Sequence, residues 1–286
     1  RGEDLVTDQF PEVESAASEL PDGTVLDGEI LGWDEIEGRP LTFNQLQRRL
    51  GRKKLGKKLL TEVPVVLLAF DLIEHAGEDI RELPLADRQT RLHEVLAGLS
   101  SVAIQEPPKV LADSAQDWKG LATARESSKA MRAEGLMLKR ADSKYQVGRP
   151  VGDWWKWKVD PYTIDAVLIY AQRGHGRRAN LYTDYTFAVW KEEGLVPFAK
   201  AYSGLTDAEM RKVDKFVRKN TNEKFGPVRS VTPELVFELA FENIQRSTRH
   251  KSGVAVRFPR ISRWRHDKKP ADADRLETIV AMLEED

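Results

Sequence analysis

Two segments of the chain, 25–33 and 63–73, are dense in β-branched and other apolar residues and are bounded by Pro21-Asp22-Gly23, Pro64 and Gly77. This texture predicts two buried strands. Segments 82–99 and 114–132 instead carry apolar residues at helical spacing, with Asp113 or Ser114 as an expected N-cap for the second. Two more short strands are predicted at 136–140 and 154–159, separated by a loop holding Gly148-Arg149-Pro150.

The texture changes at Asp160-Pro161. Predicted strands at 163–171, 185–191 and 195–202 are short and separated by Gly174, Gly176 and Gly194. A helix over 207–220 follows, with Thr206 as N-cap and Glu209 reaching back to it. Strands at 235–244 and 255–261 and a terminal helix at 272–283 complete the pattern. Strands and helices are mixed without regular βαβ alternation, so the expected class is α+β. Five strands and a helix in the second half suit a small Greek-key barrel of the OB type, and an SH3-like barrel or small sandwich would give a similar pattern. The expected division is 1–160 and 161–286, with a hinge at the junction, and 286 residues suit two domains.

Composition narrows the chemistry. There is no cysteine, which excludes disulfides, thiolate zinc sites, iron–sulfur clusters and a cysteine nucleophile. His75, His93, His175, His250 and His266 show no metal-ligand spacing. No apolar run approaches a membrane span and no signal-peptide pattern opens the chain, so the expected compartment is cytoplasmic, with no membrane partner. The net charge of −1 hides a segregation: residues 1–160 carry 23 basic and 28 acidic side chains, and residues 161–286 carry 22 and 18. Within 48–58 there are seven basic residues and no acidic one. That run reads either as a solvated basic loop or as an arm that contacts nucleic-acid phosphates through Arg48, Arg49, Arg52, Lys53 and Lys54.

Four stretches put charged groups inside or beside apolar strands, a costly arrangement unless a ligand uses them. Leu26-Asp27-Gly28-Glu29-Ile30 sets a carboxylate in the middle of a hydrophobic strand, although alternation alone would let Glu29 face solvent. Glu134-Gly135-Leu136-Met137-Leu138-Lys139 opens on a carboxylate and closes on an ammonium. Together, Glu29 and Glu134 supply oxygen ligands of the kind Mg²⁺ prefers. Trp154-Trp155-Lys156-Trp157-Lys158 projects two lysines from one strand face and two tryptophans from the other. Paired ammonium groups on apolar backing suit a phosphate that gains charge in its transition state; a lysine pair on an exposed strand face above core tryptophans is the alternative. Finally, Arg257-Phe258-Pro259-Arg260-Ile261-Ser262-Arg263-Trp264-Arg265-His266-Asp267-Lys268-Lys269 suits polyphosphate oxygens or, equally, a DNA backbone.

Taken in order, D-G-E-I, A-F-D-L-I, E-G-L-M-L-K, W-K-W-K and R-F-P-R-I-x-R-x-R-x-D-K resemble the ATP-dependent DNA ligases of bacterial type, within the covalent nucleotidyltransferase superfamily. The likeness runs over nearly the whole chain. It implies a partial adenylation domain followed by an OB-fold domain, ATP and Mg²⁺ (or Mn²⁺) as cofactors, nicked duplex DNA as partner, and a monomer. By position it places Arg1 and Arg149 at the nucleotide, Glu29 near ribose and metal, and Phe70 against adenine. Glu134 would coordinate metal, Lys156 and Lys158 would hold the α-phosphate, and the barrel motif with Arg257, Arg260, Arg263, Asp267 and Lys268 would orient the pyrophosphate. The family's AMP-accepting lysine lies in K-x-D-G, which occurs nowhere in these 286 residues. A chain that starts just after that motif, and does not adenylate itself alone, is the expectation. An RNA ligase, a capping-type enzyme and a non-catalytic nucleic-acid-binding module are the alternatives.

Overall fold

In a computed structural model the chain separates into two compact units, Arg1–Val159 and Asp160–Asp286. The structure describes residues 4–52, 54–108, 110, 117–148, 150–176, 179–192 and 194–283. None of the described helices is long and apolar enough to cross a membrane.

In the first unit, strands β1 (Val25–Asp34), β2 (Arg39–Pro40), β3 (Val65–His75), β4 (Glu78–Asp79) and β5 (Ile104–Gln105) form one sheet in the order β2-β1-β3-β4, with β5 parallel beside β3. The apolar run 63–73 thus becomes the central strand. Its core face packs Ala69 and Leu72 against Ala16 of α1 (Pro11–Ala17) and Leu92 of α4 (Leu85–Ala97). Helix α4 buries Leu85, Arg88 and Leu92, three- and four-residue steps that lie on one helical face. Two short helices, α2 (Phe43–Gln47) and α3 (Lys57–Glu62), flank the basic run. Helix α5 (Trp118–Ser127) starts after Asp117, whose side chain accepts the Gly120 N–H; the expected caps at 113 and 114 lie outside the described residues. A separate antiparallel ribbon joins β6 (Gly135–Lys139) to β7 (Trp154–Lys158).

Among the described residues of the second unit there are nine strands: β8 (Tyr162–Arg173), β9 (Tyr182–Lys191), β10 (Gly194–Ala201), β11 (Thr221–Phe225), β12 (Val228–Val231), β13 (Val236–Phe241), β14 (Asn243–Arg246), β15 (Val254–Arg257) and β16 (Arg260–Trp264). Strand β8 curls the sheet. One edge runs along β9, while the other is shared between β13 at residues 162–167 and β12 at 170–172. The enclosed core holds Leu168, Phe187, Phe237, Leu239 and Ile261. Helix α6 (Asp207–Lys219) has the expected Thr206–Glu209 capping box and packs through Met210, Val213 and Val217. This is the OB barrel, and the overall class is α+β as the pattern implies. The β11–β12 hairpin is absent from the sequence reading, and the run 235–244 breaks into two strands after Phe241. The terminal helix is also shorter than expected, α7 spanning Leu276–Ala281.

Candidate active site

In the first unit the β6–β7 ribbon meets the main sheet where Lys139 lies over Phe70, and its connecting loop meets it where Tyr145 bonds Asp27. On β1, Asp27 and Glu29 are two residues apart and share a face. The Asp27 carboxylate accepts a 2.7 Å hydrogen bond from the Tyr145 hydroxyl, which fixes that face toward the ribbon. Gly28 between them is required by space: a Cβ there would lie 2.7 Å from the Leu68 carbonyl oxygen. The register explains this crowding, because Asp27 stands opposite Asp71 while Gly28 stands opposite Ala69. Phe70 is therefore the extra residue of a β-bulge, a device that re-aims a side chain.

The ribbon register puts Lys139 opposite Trp154, Met137 opposite Lys156, and Gly135 opposite Lys158. Cross-strand partners share a face, so Lys139, Lys156, Lys158, Met137 and Trp154 project together. Their orientation is set by Lys139, whose Nζ lies 3.9 Å from the Trp154 ring centroid and 4.7 Å from that of Phe70 on β3. The opposite ribbon face carries Trp157, edge-on to Trp118 of α5 at 5.9 Å and beneath the Arg125 guanidinium at 5.4 Å. Trp155, on that same face, stays 45% exposed. Gly135 has φ +133°, and a Cβ on it would come within 2.4 Å of the Trp157 carbonyl oxygen. The glycine lets the strands close up where Lys158 Nζ meets Glu134 Oε2 at 3.0 Å.

Next to Phe70 in the chain, Asp71 forms a fully buried ion pair. Arg88 donates to both Asp71 oxygens at 2.8 and 2.9 Å and to the carbonyls of Leu83 and Ser143. It thereby ties the strand of Phe70 to the loop of Tyr145. Burial is the first cause of a Tyr145 hydroxyl pushed up to about 12, with the Asp27 hydrogen bond and the Asp27 and Asp71 charges adding to it and Arg88 opposing. Burial also pulls the Lys139 ammonium below the usual lysine value, against the pull of Asp71 and Asp27. A pocket of about 680 Å³ is lined in part by Arg81, Arg140 and Lys144. Each of these three pairs with a carboxylate (Asp79, Asp142 and Glu82), so the pocket's charge is already matched.

Not every site residue read from the sequence lies here. Arg1, Lys53 and Arg149 fall outside the described residues. Arg49 corrects the reading of the basic run as a set of phosphate contacts. Its side chain is 0% exposed, bonds Glu12 at 2.7 Å and the Val63 carbonyl at 2.8 Å, and faces the Phe10 ring. It braces α1 against the start of β3 and does not reach solvent. Arg48, Arg52 and Lys54 are exposed, with Arg48 paired to Glu62.

The barrel motif forms a charge network within the second unit. Arg260 pairs with Glu242 at 2.9 Å, Arg263 with Glu238 at 2.7 Å, and Lys268 with Asp165 at 2.6 Å. Arg265 bridges Asp165 and Asp267, and its hydrogen bonds hold the Asp267 carboxyl far below its ordinary value. Arg257 lies 4.9 Å from the ring of Phe258, a residue at positive φ and 61% exposed. The sequence assigns no role to Asp27, Tyr145 or the Asp71–Arg88 pair, and Lys139 enters only as the ammonium that closes its strand. The signals for them are the alternation of D-G-E and the 85/88/92 spacing of α4.

Among the described residues no three acidic or histidine side chains converge on one point. Mg²⁺ is usually held by one or two protein oxygens together with substrate phosphates and water, the donor type that the Glu29 and Glu134 carboxylates each carry.

A bulged sheet facing a lysine-bearing ribbon, followed by an OB barrel, defines the adenylation-plus-barrel architecture. Residues 1–158 match the ATP dependent DNA ligase domain and residues 178–268 the ATP dependent DNA ligase C terminal region. A probable DNA ligase of Koribacter versatilis is 38% identical over 296 residues, covering 96% of this chain and 50% of its own length. A DNA ligase of Natronomonas pharaonis is 36% identical over 278 residues, covering 96% of this chain and 48% of its own. A solved DNA ligase of the Lig E type shares the fold, with a TM-score of 0.60 at 17% identity over 92% of this chain and 82% of its own. The chain belongs to the ATP-dependent DNA ligase family. It spans about half the length of these two curated relatives.

Proposed function

We propose that the complete protein seals nicks in duplex DNA with ATP, through a protein–AMP and then a DNA–adenylate intermediate. The observation that carries this reading is the ribbon face shared by Lys139, Lys156 and Lys158, on which Lys139 lies over Phe70 while Lys156 and Lys158 stay exposed. Phe70 stacks on the adenine and Glu29 serves the ribose. Lys156 and Lys158 hold the α-phosphate, with Glu134 keeping Lys158 aligned. In the first step a lysine amine, supplied by chain outside these 286 residues, attacks the α-phosphorus and pyrophosphate leaves, oriented by Arg257, Arg260, Arg263, Asp267 and Lys268. A 5′-phosphate oxygen then takes the AMP from that lysine. The 3′-hydroxyl finally attacks the 5′-phosphorus and AMP leaves. Glu29 and Glu134 are the residues that would hold Mg²⁺ or Mn²⁺, whose contribution is to neutralise charge on the phosphate oxygens. Positioning and preorganised positive charge do most of the work in such transfers.

The test is Lys156→Ala in the complete gene product, read by transfer of label from α-labelled ATP to protein and to nicked duplex. Losing a preorganised charge from the transition state should lower transfer by about 10²-fold or more, with DNA binding retained. Near-normal sealing would make Lys156 structural. Parallel assays on nicked RNA and on cap formation separate the DNA reading from its relatives.

A further inference from the structure

Lys139 is the group that the proposed reaction leaves unexplained. It closes β6, where a lysine could extend into water, yet its Nζ sits between two rings from different sheets, Trp154 at 3.9 Å and Phe70 at 4.7 Å. Among the described residues no carboxylate lies within ion-pair distance of it; Asp71 and Asp27 compensate its charge through space, and Arg88 opposes them. A partly desolvated ammonium is expensive, and cation–π attraction to two rings is the local term that offsets the cost.

One account of this arrangement is a brace between sheet and ribbon. Phe70 points further. As the extra residue of the bulge it has no cross-strand partner in β1, and its backbone is held by the Gln89 side chain donating to its carbonyl at 2.7 Å. The ring itself is only half-buried. Lys139 is thus the charged contact that fixes where this ring stands. A cation on one ring face draws π density toward itself and leaves the other face less negative, which favours stacking of an electron-rich purine there.

We infer that Lys139 is a positioning residue for the nucleotide base: its ammonium fixes and polarises Phe70 so that the opposite face of the ring receives the purine of ATP. The inference rests on the reading that Phe70 stacks on adenine.

The complete gene product is assayed for self-adenylation across a range of ATP concentrations, as Lys139→Met, which keeps length and loses charge, as Lys139→Arg, and as Phe70→Leu. Lys139→Met should raise KM for ATP about tenfold, equivalent to ~1.4 kcal/mol, with kcat little changed. Lys139→Arg should recover most of that loss. Binding of inorganic tripolyphosphate, which has no base, should not change. If Lys139→Met lowers kcat at unchanged KM, or weakens tripolyphosphate as much as ATP, the residue acts through folding or general field and the inference fails. If Phe70→Leu leaves KM unaltered, the base-stacking reading itself fails; if Phe70→Leu raises KM and Lys139→Met does not, the inference alone fails. A variant-independent measurement guards against a misfolded Lys139→Met: in the unmodified protein the Lys139 ε-methylene NMR signal should move on adding ATP and stay on adding tripolyphosphate. A signal unmoved by ATP overturns the inference.

Discussion

Arg88→Met removes the cation of a pair in which both side chains are 0% exposed. The variant loses two charge-assisted bonds to Asp71 and two to the carbonyls of Leu83 and Ser143. What remains for the Asp71 carboxylate is the Leu72 N–H at 3.0 Å. Breaking a buried pair on one side costs about 3–5 kcal/mol, against a typical total domain stability of about 5–15 kcal/mol. The first unit should therefore approach its limit. Amide exchange in β3 and α4 reports this unit separately from the barrel, and it should accelerate by about two to four orders of magnitude, at 1.36 kcal/mol per decade. Asp71→Leu combined with Arg88→Met removes both charges, so it should be less destabilised than Arg88→Met alone. Exchange in Arg88→Met within about fivefold of the parent, or a double variant worse than the single, would refute the view that this pair anchors the site.

Two further outcomes follow from the same geometry. Because the Tyr145 hydroxyl is raised to about 12 in the fold, the unfolded chain loses its proton first, near pH 10. Its contribution is thus complete below pH 10 and fades as pH climbs to about 12, so the stability gap between the parent and Tyr145→Phe should narrow over that window in denaturant titrations; a constant gap contradicts it. For the basic run, replacing Arg48, Arg52 and Lys54 by alanine should flatten the salt dependence of DNA binding by about 0.9 log unit per lost phosphate contact. An unchanged slope would make the run a solvated surface.

Much of this fold was legible because its strands are either nearly continuous in apolar residues or cleanly alternating. Val25–Asp34, Val65–His75 and Trp154–Lys158 were readable within two residues at each end. The Thr206–Glu209 capping box was legible from two side chains alone. Other features depend on contacts that no local pattern encodes. The hairpin Thr221–Phe225/Val228–Val231 is polar along much of its length, and its strands exist because β8 offers an edge at residues 170–172. The predicted strand at 255–261 breaks at Phe258, whose positive φ ends β15. Arg49 reads as one more member of a cationic run until α1 brings Glu12 beside it. Phe70 and Lys139 are the hardest cases: the bulge that frees the ring and the ribbon that delivers the ammonium are tertiary facts, although each residue stands inside a recognisable motif.

The most direct test is a structure of the complete protein with ATP bound. The account predicts the adenine stacked on Phe70 and both Lys156 Nζ and Lys158 Nζ within hydrogen-bond distance of the α-phosphate. A nucleotide seated away from the ribbon face, with those two lysines in open solvent, would contradict it.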